Sequence, residues 1–210
     1  MIKSIIDEES IMLSAHNYVC SLYHQPLSKS KKGLFITPDN IRHFADYLDD
    51  SVSISDKYIS IGTGSYYEKL IEIPLLEPGE ADAQSSIRLT VAFDPDVVTS
   101  DSDIRVGVSD GTSYNQFYIY DTTASTACSP YGGSQEGNTV HQNYYPGEIT
   151  LLFHPFHRYG ACSTKHDGGY VNIARFNAQL DITKGLSLQL NRDSYNERYK
   201  IYYFIVEILS

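Results

Sequence analysis

The sequence predicts a mainly β protein built as an antiparallel β-sandwich, and three observations support this. After Asp50, apolar residues recur with a period of two, which is typical of half-buried strands. Strand-like segments follow one another at short, turn-rich intervals without long helices between them, which excludes a parallel α/β sheet. Tyrosine occurs 18 times and tryptophan never, and tyrosine favours strands and contact surfaces.

The chain of 210 residues is long enough for one domain with a sizeable core and a short extension. We assign residues 1–50 to an N-terminal extension with one or two short helices. Residues 51–210 form the predicted sandwich domain, because the period-two pattern begins there.

The extension contains two helical signals of unequal strength. Residues 1–23 show only a smeared helical periodicity. In TPDNIRHFADYLDD, Thr37 can cap a helix and Pro38 suits its first position. The pattern predicts a short amphipathic helix at about 38–49, with an apolar stripe of Ile41, Phe44 and Leu48.

The sandwich domain shows nine candidate strands, and two of them carry the clearest signals. In RVGVSDGTSYNQFYIYD, Asp110 and Gly111 can take the positive-φ positions of a tight hairpin turn. The last segment, KIYYFIVEIL, is apolar on both faces, which predicts a central strand or one covered at an interface. Within it Glu207 is interpreted as paired with arginine or solvated. The candidates are 52–61, 67–76, 86–93, 103–109, 114–121, 148–154, 169–176, 185–191 and 199–209.

Charge and hydropathy exclude several partners. A net charge of −10 without a stripe of basic and aromatic residues argues against nucleic acid and anionic membranes. No apolar stretch is long enough to cross a bilayer, and the N-terminus lacks the apolar region of a signal peptide. The basic cluster Lys29, Lys31 and Lys32 is interpreted as a solvated linker, with a dibasic processing site as the alternative.

An acidic segment, FDPDVVTSDSDIRVGVSD, is the candidate metal site. Its carboxylates crowd a predicted loop between two strands, and Ca²⁺ prefers six to eight oxygen ligands. The spacing does not match an EF-hand. The alternative is a solvated loop that uses aspartate for turn chemistry. The predicted calcium ligands are Asp94, Asp96, Asp101 and Asp103, with Asp110 one hairpin away.

The cysteines allow one disulfide. Cys128 and Cys162 both lie in Gly/Ser-rich loop sequence, so a bridge between them is predicted, with two unpaired thiols as the alternative. Cys20 lies in the extension. A zinc site is the less favoured interpretation of the segment HPFHRYGACSTKH, because its spacing fits no common zinc motif. Its candidate ligands are His154, His157, Cys162 and His166.

Nothing in the sequence commits the chain to catalysis, and we predict no catalytic residue. There is no G-x-S-x-G elbow, and no phosphate-binding glycine loop occurs in its required context. A glycoside hydrolase needs two carboxylates at a defined separation. Glu68, Glu72 and Glu207 are the candidates for such a pair, and the first two share a face of a predicted strand.

The loops GTGSYYE, DGTSYNQFY, SPYGGSQEGNTVHQNYYPG and NRDSYNERY combine tyrosine with Asn, Gln, Ser and acidic residues. This mixture suits sugar recognition by stacking and hydrogen bonding. It also suits polar protein contacts and hydroxylated mineral surfaces. The sequence does not separate these three.

DIRVGVSDGTSYNQFYIYD and GLSLQLNRDSYNERYKIYYFIVEIL resemble the jelly-roll, concanavalin-like sandwiches of lectin-like proteins. Over residues 52–210 the sequence pattern of strands and hairpins is also similar to that of proteins from marine sponges. The lectin resemblance implies a non-catalytic extracellular or secreted module that recognises carbohydrate or glycoprotein, and no binding residue is implied.

The sponge resemblance implies a structural or self-assembling scaffold as the alternative, associated with silica spicules and a cathepsin-like silica-forming partner. A sandwich-type glycoside hydrolase is the third hypothesis. The expected partner is a glycan or a protein, with self-assembly or hetero-assembly as a further expectation, and the favoured candidate cofactor is Ca²⁺.

Overall fold

The computed structural model confirms the antiparallel β-sandwich and describes most of the chain from Lys32 onward. Two antiparallel sheets enclose one core, and the ring of Phe117 in one sheet lies 5.6 Å from that of Phe153 in the other. The described residues are 32–62, 64, 68–80, 85–97, 104–121, 126–127, 130–131, 134–136, 147–154, 158–164, 171–192 and 198–209.

These residues form sixteen strands, one short α-helix, α1 (Ile41–Phe44), and one 3-10 helix (Ile182–Lys184). In chain order the strands are β1 (Lys32–Ile36), β2 (Tyr47–Leu48), β3 (Val52–Ile54), β4 (Ile59–Ile61), β5 (Lys69–Leu76), β6 (Ser86–Val97), β7 (Ile104–Ser109), β8 (Tyr114–Asp121), β9 (Thr126–Ala127), β10 (Pro130–Tyr131), β11 (Ser134–Glu136), β12 (Gly147–His154), β13 (Tyr159–Thr164), β14 (Val171–Arg175), β15 (Leu186–Arg192) and β16 (Arg198–Leu209).

The larger sheet, of nine described strands, has the order β11-β14-β13-β12-β6-β16-β4-β3, and β1 also pairs with β16. As predicted, β16 is central: β6 lies on one side of it, and β4 and β1 lie on the other. Glu207 is 3% exposed and forms a buried ion pair with Arg88 on β6, which is the arginine-paired interpretation. Arg88 neutralises the carboxylate of Glu207, which would be costly to bury without a partner.

The smaller sheet, of seven described strands, has the order β10-β8-β7-β15-β5-β2, with β9 also paired to β8. The predicted hairpin joins β7 to β8, and β8 has the predicted bounds. Its loop is longer than a two-residue turn, because Ser109 pairs with Tyr114. Gly111 has a φ of 83°, whereas Asp110 is not in the positive-φ region. Asp110 instead accepts backbone hydrogen bonds from Thr112 and Ser113.

The predicted helix at 38–49 is wrong in length, because only Ile41–Phe44 is helical. Thr37 does not cap it through its side chain; its carbonyl accepts from the Ile41 N–H at 2.9 Å. Ala45 is extended, and the chain then pairs with β5 through two backbone hydrogen bonds, at Asp46 and Asp49. Sheet pairing therefore overrides a weak local helical preference, as tertiary context commonly does.

Residues 32–48, which the sequence assigns to the extension, contribute one strand to each sheet. Their burial explains why, since Ile36 and Ile41 are fully buried in the shared core. Strands of two to five residues are too short to show a clear alternation of apolar and polar residues, so the sequence pattern did not predict them. Residues 1–31, with their predicted helix, Cys20, Lys29 and Lys31, lie outside the described part.

Several further elements differ from the sequence prediction, including the short strands β9, β10 and β11, which were not predicted. The segment 52–61 is a hairpin of β3 and β4, turned at Ser55 and Tyr58, rather than one strand. Strand β13 was not predicted, because YGACST lacks large apolar residues; it is nevertheless buried at Ala161 and Cys162. Within the described residues no helix is long and apolar enough to cross a membrane.

Candidate functional site

A continuous row of residues crosses the outer face of the seven-stranded sheet, the face turned away from the other sheet. Alternate residues of a strand point to opposite faces. Ile73, Leu188 and Val106 belong to the core, so their neighbours face outward. Backbone pairing aligns these neighbours across five strands, from β8 to β2. We call this the outer-face row: Gln116, Gly107, Gln189, Glu72 and Tyr47.

Glu72 is the charged residue of the row and is held by three side chains. Its Oε1 accepts from Ser187 Oγ at 2.8 Å and from Gln189 Nε2 at 3.1 Å. Its Oε2 accepts from Lys69 Nζ in an ion pair. Partial burial opposes ionisation, but the hydrogen bonds from Lys69, Gln189 and Ser187 outweigh it and lower the pKa of Glu72. The carboxylate is therefore ionised and fixed in position at neutral pH.

Tyr47 ends the row at the edge of the sheet and is 38% exposed. Lys69 Nζ lies 4.8 Å from the ring centroid, a cation–π contact, and the hydroxyl donates to Asp49 Oδ2 at 3.3 Å. Desolvation and the negative charge of Asp49 raise the pKa of Tyr47. The ring is thus a neutral aromatic surface, positioned beside the Glu72–Lys69 pair and still open to solvent.

Gly107 interrupts the row with a position that carries no side chain. A Cβ at this residue would lie 2.1 Å from the carbonyl oxygen of Asn115 and 2.8 Å from Cγ of Gln116. The neighbouring strand therefore approaches so closely that only glycine fits. The row therefore has no side chain at Gly107, and both Gly107 and the adjoining Gln116 are buried.

A second polar cluster lies beside the row and carries the other predicted carboxylate. Glu68 precedes β5 rather than lying within it, and its Oε2 accepts from Arg192 Nη1 at 2.6 Å. Arg192 Nη2 donates to Ser51 Oγ and to the Gly62 carbonyl. Ser51 in turn donates to Asp49, so a chain of hydrogen bonds connects Arg192 to Tyr47.

The structure does not bring the hydrolase candidates together as a catalytic pair. Glu68 is bound to Arg192, Glu72 to Lys69, and Glu207 to Arg88 on the other sheet. Such a pair would need one carboxyl group with a raised pKa to serve as the acid. The pKa of Glu72 is lowered, which is the opposite direction.

The predicted calcium site lies largely outside the described residues. The backbone of Asp94 and Asp96 belongs to β6 rather than to a loop, whereas Asp101 and Asp103 are not described. Asp110 has a turn function, because its carboxylate accepts from the backbone N–H groups of Thr112, Ser113 and Asp181. Over the described ranges no cluster of metal-ligating side chains occurs. The calcium site stays a prediction.

Of the predicted zinc ligands, two are described. His154 lies on β12, and its Nδ1 is 2.9 Å from Ser86 Oγ. Cys162 is buried on β13 and is disulfide-bonded, so its sulfur is not available as a metal-binding thiolate. His157, His166 and the predicted bridge partner Cys128 lie outside the described residues, so the pairing of Cys162 with Cys128 stays a prediction.

Known proteins of solved structure resemble this chain in fold. No protein-family model and no curated protein sequence matches the chain. Arcelin-5, a lectin-like defense protein from Phaseolus vulgaris, superposes with a TM-score of 0.53 at 10% identity, over 84% of this chain and 97% of that chain.

Two further solved structures are similar. A sialidase superposes with a TM-score of 0.51 at 12% identity, over 78% of this chain but 16% of its own length. Lectin UEA-II, complexed with galactose, gives a TM-score of 0.49 at 9% identity and is covered in full. At 10% and 12% identity, the likeness to arcelin-5 and to part of the sialidase shows the fold alone, a β-sandwich of the kind found in lectin-like proteins.

Proposed function

We propose that this chain is a non-catalytic, lectin-like module that binds carbohydrate at the Tyr47 end of the outer-face row. The observation that carries the proposal is the Glu72–Gln189 pair beside the exposed ring of Tyr47. A carboxylate, an amide and an aromatic ring are the groups that recognise a sugar, because they bond its hydroxyls and cover its apolar face.

The site is pre-organised, which lowers the entropy lost on binding. Ser187 and Lys69 hold Glu72, and Lys69 also contacts the ring of Tyr47. Gln189 uses one amide N–H on Glu72, which leaves its carbonyl oxygen and second N–H for hydroxyl groups of a ligand. The sugar would therefore meet donors and acceptors that are already in place.

The charges of the site and of the whole chain favour one class of glycan. The carboxylate of Glu72 is balanced by Lys69, and the whole chain carries a net charge of −10. A field of this sign repels anionic ligands. The proposed ligand is a neutral glycan rather than a uronate or a sulfated one.

The fold shared with arcelin-5, and with part of a sialidase, supports a module directed at glycans. The absence of catalysis belongs to the proposal and is supported by the lowered pKa of Glu72 and the ion pair of Glu68. An extracellular location is supported by the disulfide of Cys162, because such bonds persist in oxidising compartments.

The test is glycan-array screening of the wild type and of Gln189→Ala, with and without a chelator. The variant is expected to lose signal on the glycans that the wild type binds. Tyr202→Ala is the control, because Tyr202 is an equally exposed tyrosine (37%) on the other sheet. Loss of wild-type binding in chelator would support the calcium prediction. No binding under either condition would contradict the proposed function.

An exposed aromatic cluster on the nine-stranded sheet favours the second candidate function, a self-assembling scaffold. Phe35 is 57% exposed and its ring lies 5.7 Å from that of Tyr203, while Tyr202 packs edge-to-face on Tyr58. Exposed aromatic rings are enriched at protein interfaces. Sedimentation of the wild type and of Phe35→Ser tests this, since assembly through the cluster predicts dissociation of the variant. Silica precipitation with a cathepsin-like partner tests the spicule hypothesis.

A further inference from the structure

A second row of residues lies beside the outer-face row and ends in another exposed tyrosine. Tyr114, at the start of β8, pairs with Ser109 on β7, and Ser109 pairs with Ser187 on β15. Phe117 is three residues further along β8 and is buried against Phe153. Residues at an odd spacing on a strand point to opposite faces, so Tyr114 points away from the core. Ser187 Oγ donates to Glu72, so the two rows are connected where β15 meets β5.

Tyr47 and Tyr114 therefore stand at opposite sides of the same face. They are 38% and 39% exposed, respectively. Three strands, β5, β15 and β7, lie between the strands that carry them. With strands about 4.8 Å apart, the four steps from β2 to β8 span about 19 Å. This distance is far longer than one sugar ring.

The residues between the two tyrosines are small or polar. Gly107 has no side chain and is buried. Ser109 is buried too, and its hydroxyl donates to the Ser113 carbonyl, whereas Ser187 is half-buried and its hydroxyl donates to Glu72. Glu72 and Gln189 stand in the adjoining row, where they hydrogen-bond to each other. Because Gly107 and Ser109 are buried, the groups between the two rings that are open to a ligand are the half-buried Glu72, Ser187 and Gln189.

We infer that the ligand is an extended chain of several neutral sugar units that lies across β2, β5, β15, β7 and β8. This inference rests on the proposed function and names its substrate class. Tyr47 stacks on a sugar near one end, Glu72 and Gln189 bond the hydroxyls beside it, and Tyr114 stacks on a more distant unit. Affinity should therefore grow with chain length, because a short ligand cannot contact both rings.

The test is titration calorimetry with cello-, xylo-, laminari- and chito-oligosaccharides of one to six units. For the series that binds, affinity is expected to rise from the dimer to the hexamer. Tyr114→Ala should weaken binding of the hexamer about tenfold, as truncation of an aromatic anchor commonly does, and leave the dimer unchanged. Tyr47→Ala should weaken both, and Tyr202→Ala neither. Circular dichroism checks that each variant is folded.

The outcomes separate the two proposals. If dimer and hexamer bind equally and Tyr114→Ala has no effect, the extended ligand is wrong while the sugar site at Tyr47 stands. If no neutral oligosaccharide of any length binds, the proposed function fails and the extended ligand fails with it. A length-dependent gain that Tyr114→Ala abolishes supports both.

Discussion

Arg192 holds Glu68 at two points: its backbone N–H donates to the Glu68 carbonyl at 2.8 Å, and Nη1 donates to Oε2 at 2.6 Å. Its other guanidinium nitrogen, Nη2, bonds Ser51 and the carbonyl of Gly62. Arg192 ends β15 in one sheet, whereas Ser51 precedes β3 and Gly62 follows β4 in the other. One buried side chain therefore links the two sheets near the proposed sugar site.

Replacing Arg192 should weaken the whole sandwich. Arg192→Met is expected to lower the free energy of unfolding by about 3 kcal/mol, because it leaves buried acceptors unpaired. Glu68→Gln, which keeps a hydrogen-bonding side chain of the same shape, should cost about 1 kcal/mol. Urea unfolding measures both. Equal losses in the two variants would show that the charge of Glu68, rather than the arginine network, dominates.

Gly107 should tolerate no side chain. Gly107→Ala is expected to destabilise by about 3 kcal/mol, since its Cβ would overlap the Asn115 carbonyl in a packed sheet. Gly111→Ala is the matched control: it has open space but a φ of 83°, so strain alone should cost about 1 kcal/mol. Thermal unfolding compares them. A smaller effect at Gly107 than at Gly111 would contradict the close strand approach.

Stability should fall in acid. The pKa values of Glu72 and Asp110 are below their ordinary values of 4.5 and 3.8. Partial burial opposes both shifts, but hydrogen bonds outweigh it. The unfolded chain therefore binds protons first, and the stabilisation present above these values is lost as pH falls through the folded pKa values. Glu72→Gln combined with Asp110→Asn should flatten this decline in urea unfolding from pH 6 to 3, and an unchanged slope would refute it.

Tyr203 should shape the alkaline limit. A hydrogen bond to Glu148, and then desolvation, raise the pKa of Tyr203 to about 12. The unfolded tyrosine loses its proton near 10, so the stabilisation present below that value is lost as pH rises toward 12. Tyr203→Phe should reduce the decline between about pH 10 and 12. Tyr202→Phe, on the same strand, should leave the decline unchanged; equal effects of the two variants would argue against the bond to Glu148.

The disulfide of Cys162 should link it to Cys128. Peptide mapping without reductant is expected to recover these two residues in one cross-linked product. Replacing both by alanine should cost about 3 to 4 kcal/mol, because the bridge restricts the unfolded chain. A product that joins Cys162 to Cys20 instead would contradict the predicted pairing.

Features set by residues close together in the sequence were predicted correctly, and features set by residues far apart were missed. The hairpin at Asp110 and the central strand β16 were predicted because a turn dipeptide and a doubly apolar run are local signals. The helix at 38–49 failed because pairing with β5, more than twenty residues away, decided the conformation of Tyr47 and Leu48. Gln189 was not predicted as a site residue, because nothing in LSLQLNR distinguishes it from an ordinary outward-facing strand position.

The sequence by itself determined the class of fold, because the period of two that separates core from surface is written in adjacent residues. It also supplied the aromatic and polar side chains of a contact surface. Only the tertiary structure decided which of them meet. Glu72 and Gln189 are 117 positions apart and Glu68 and Arg192 are 124 apart. Their contact depends on strand order and register, which the packing of the whole core sets and no local pattern encodes.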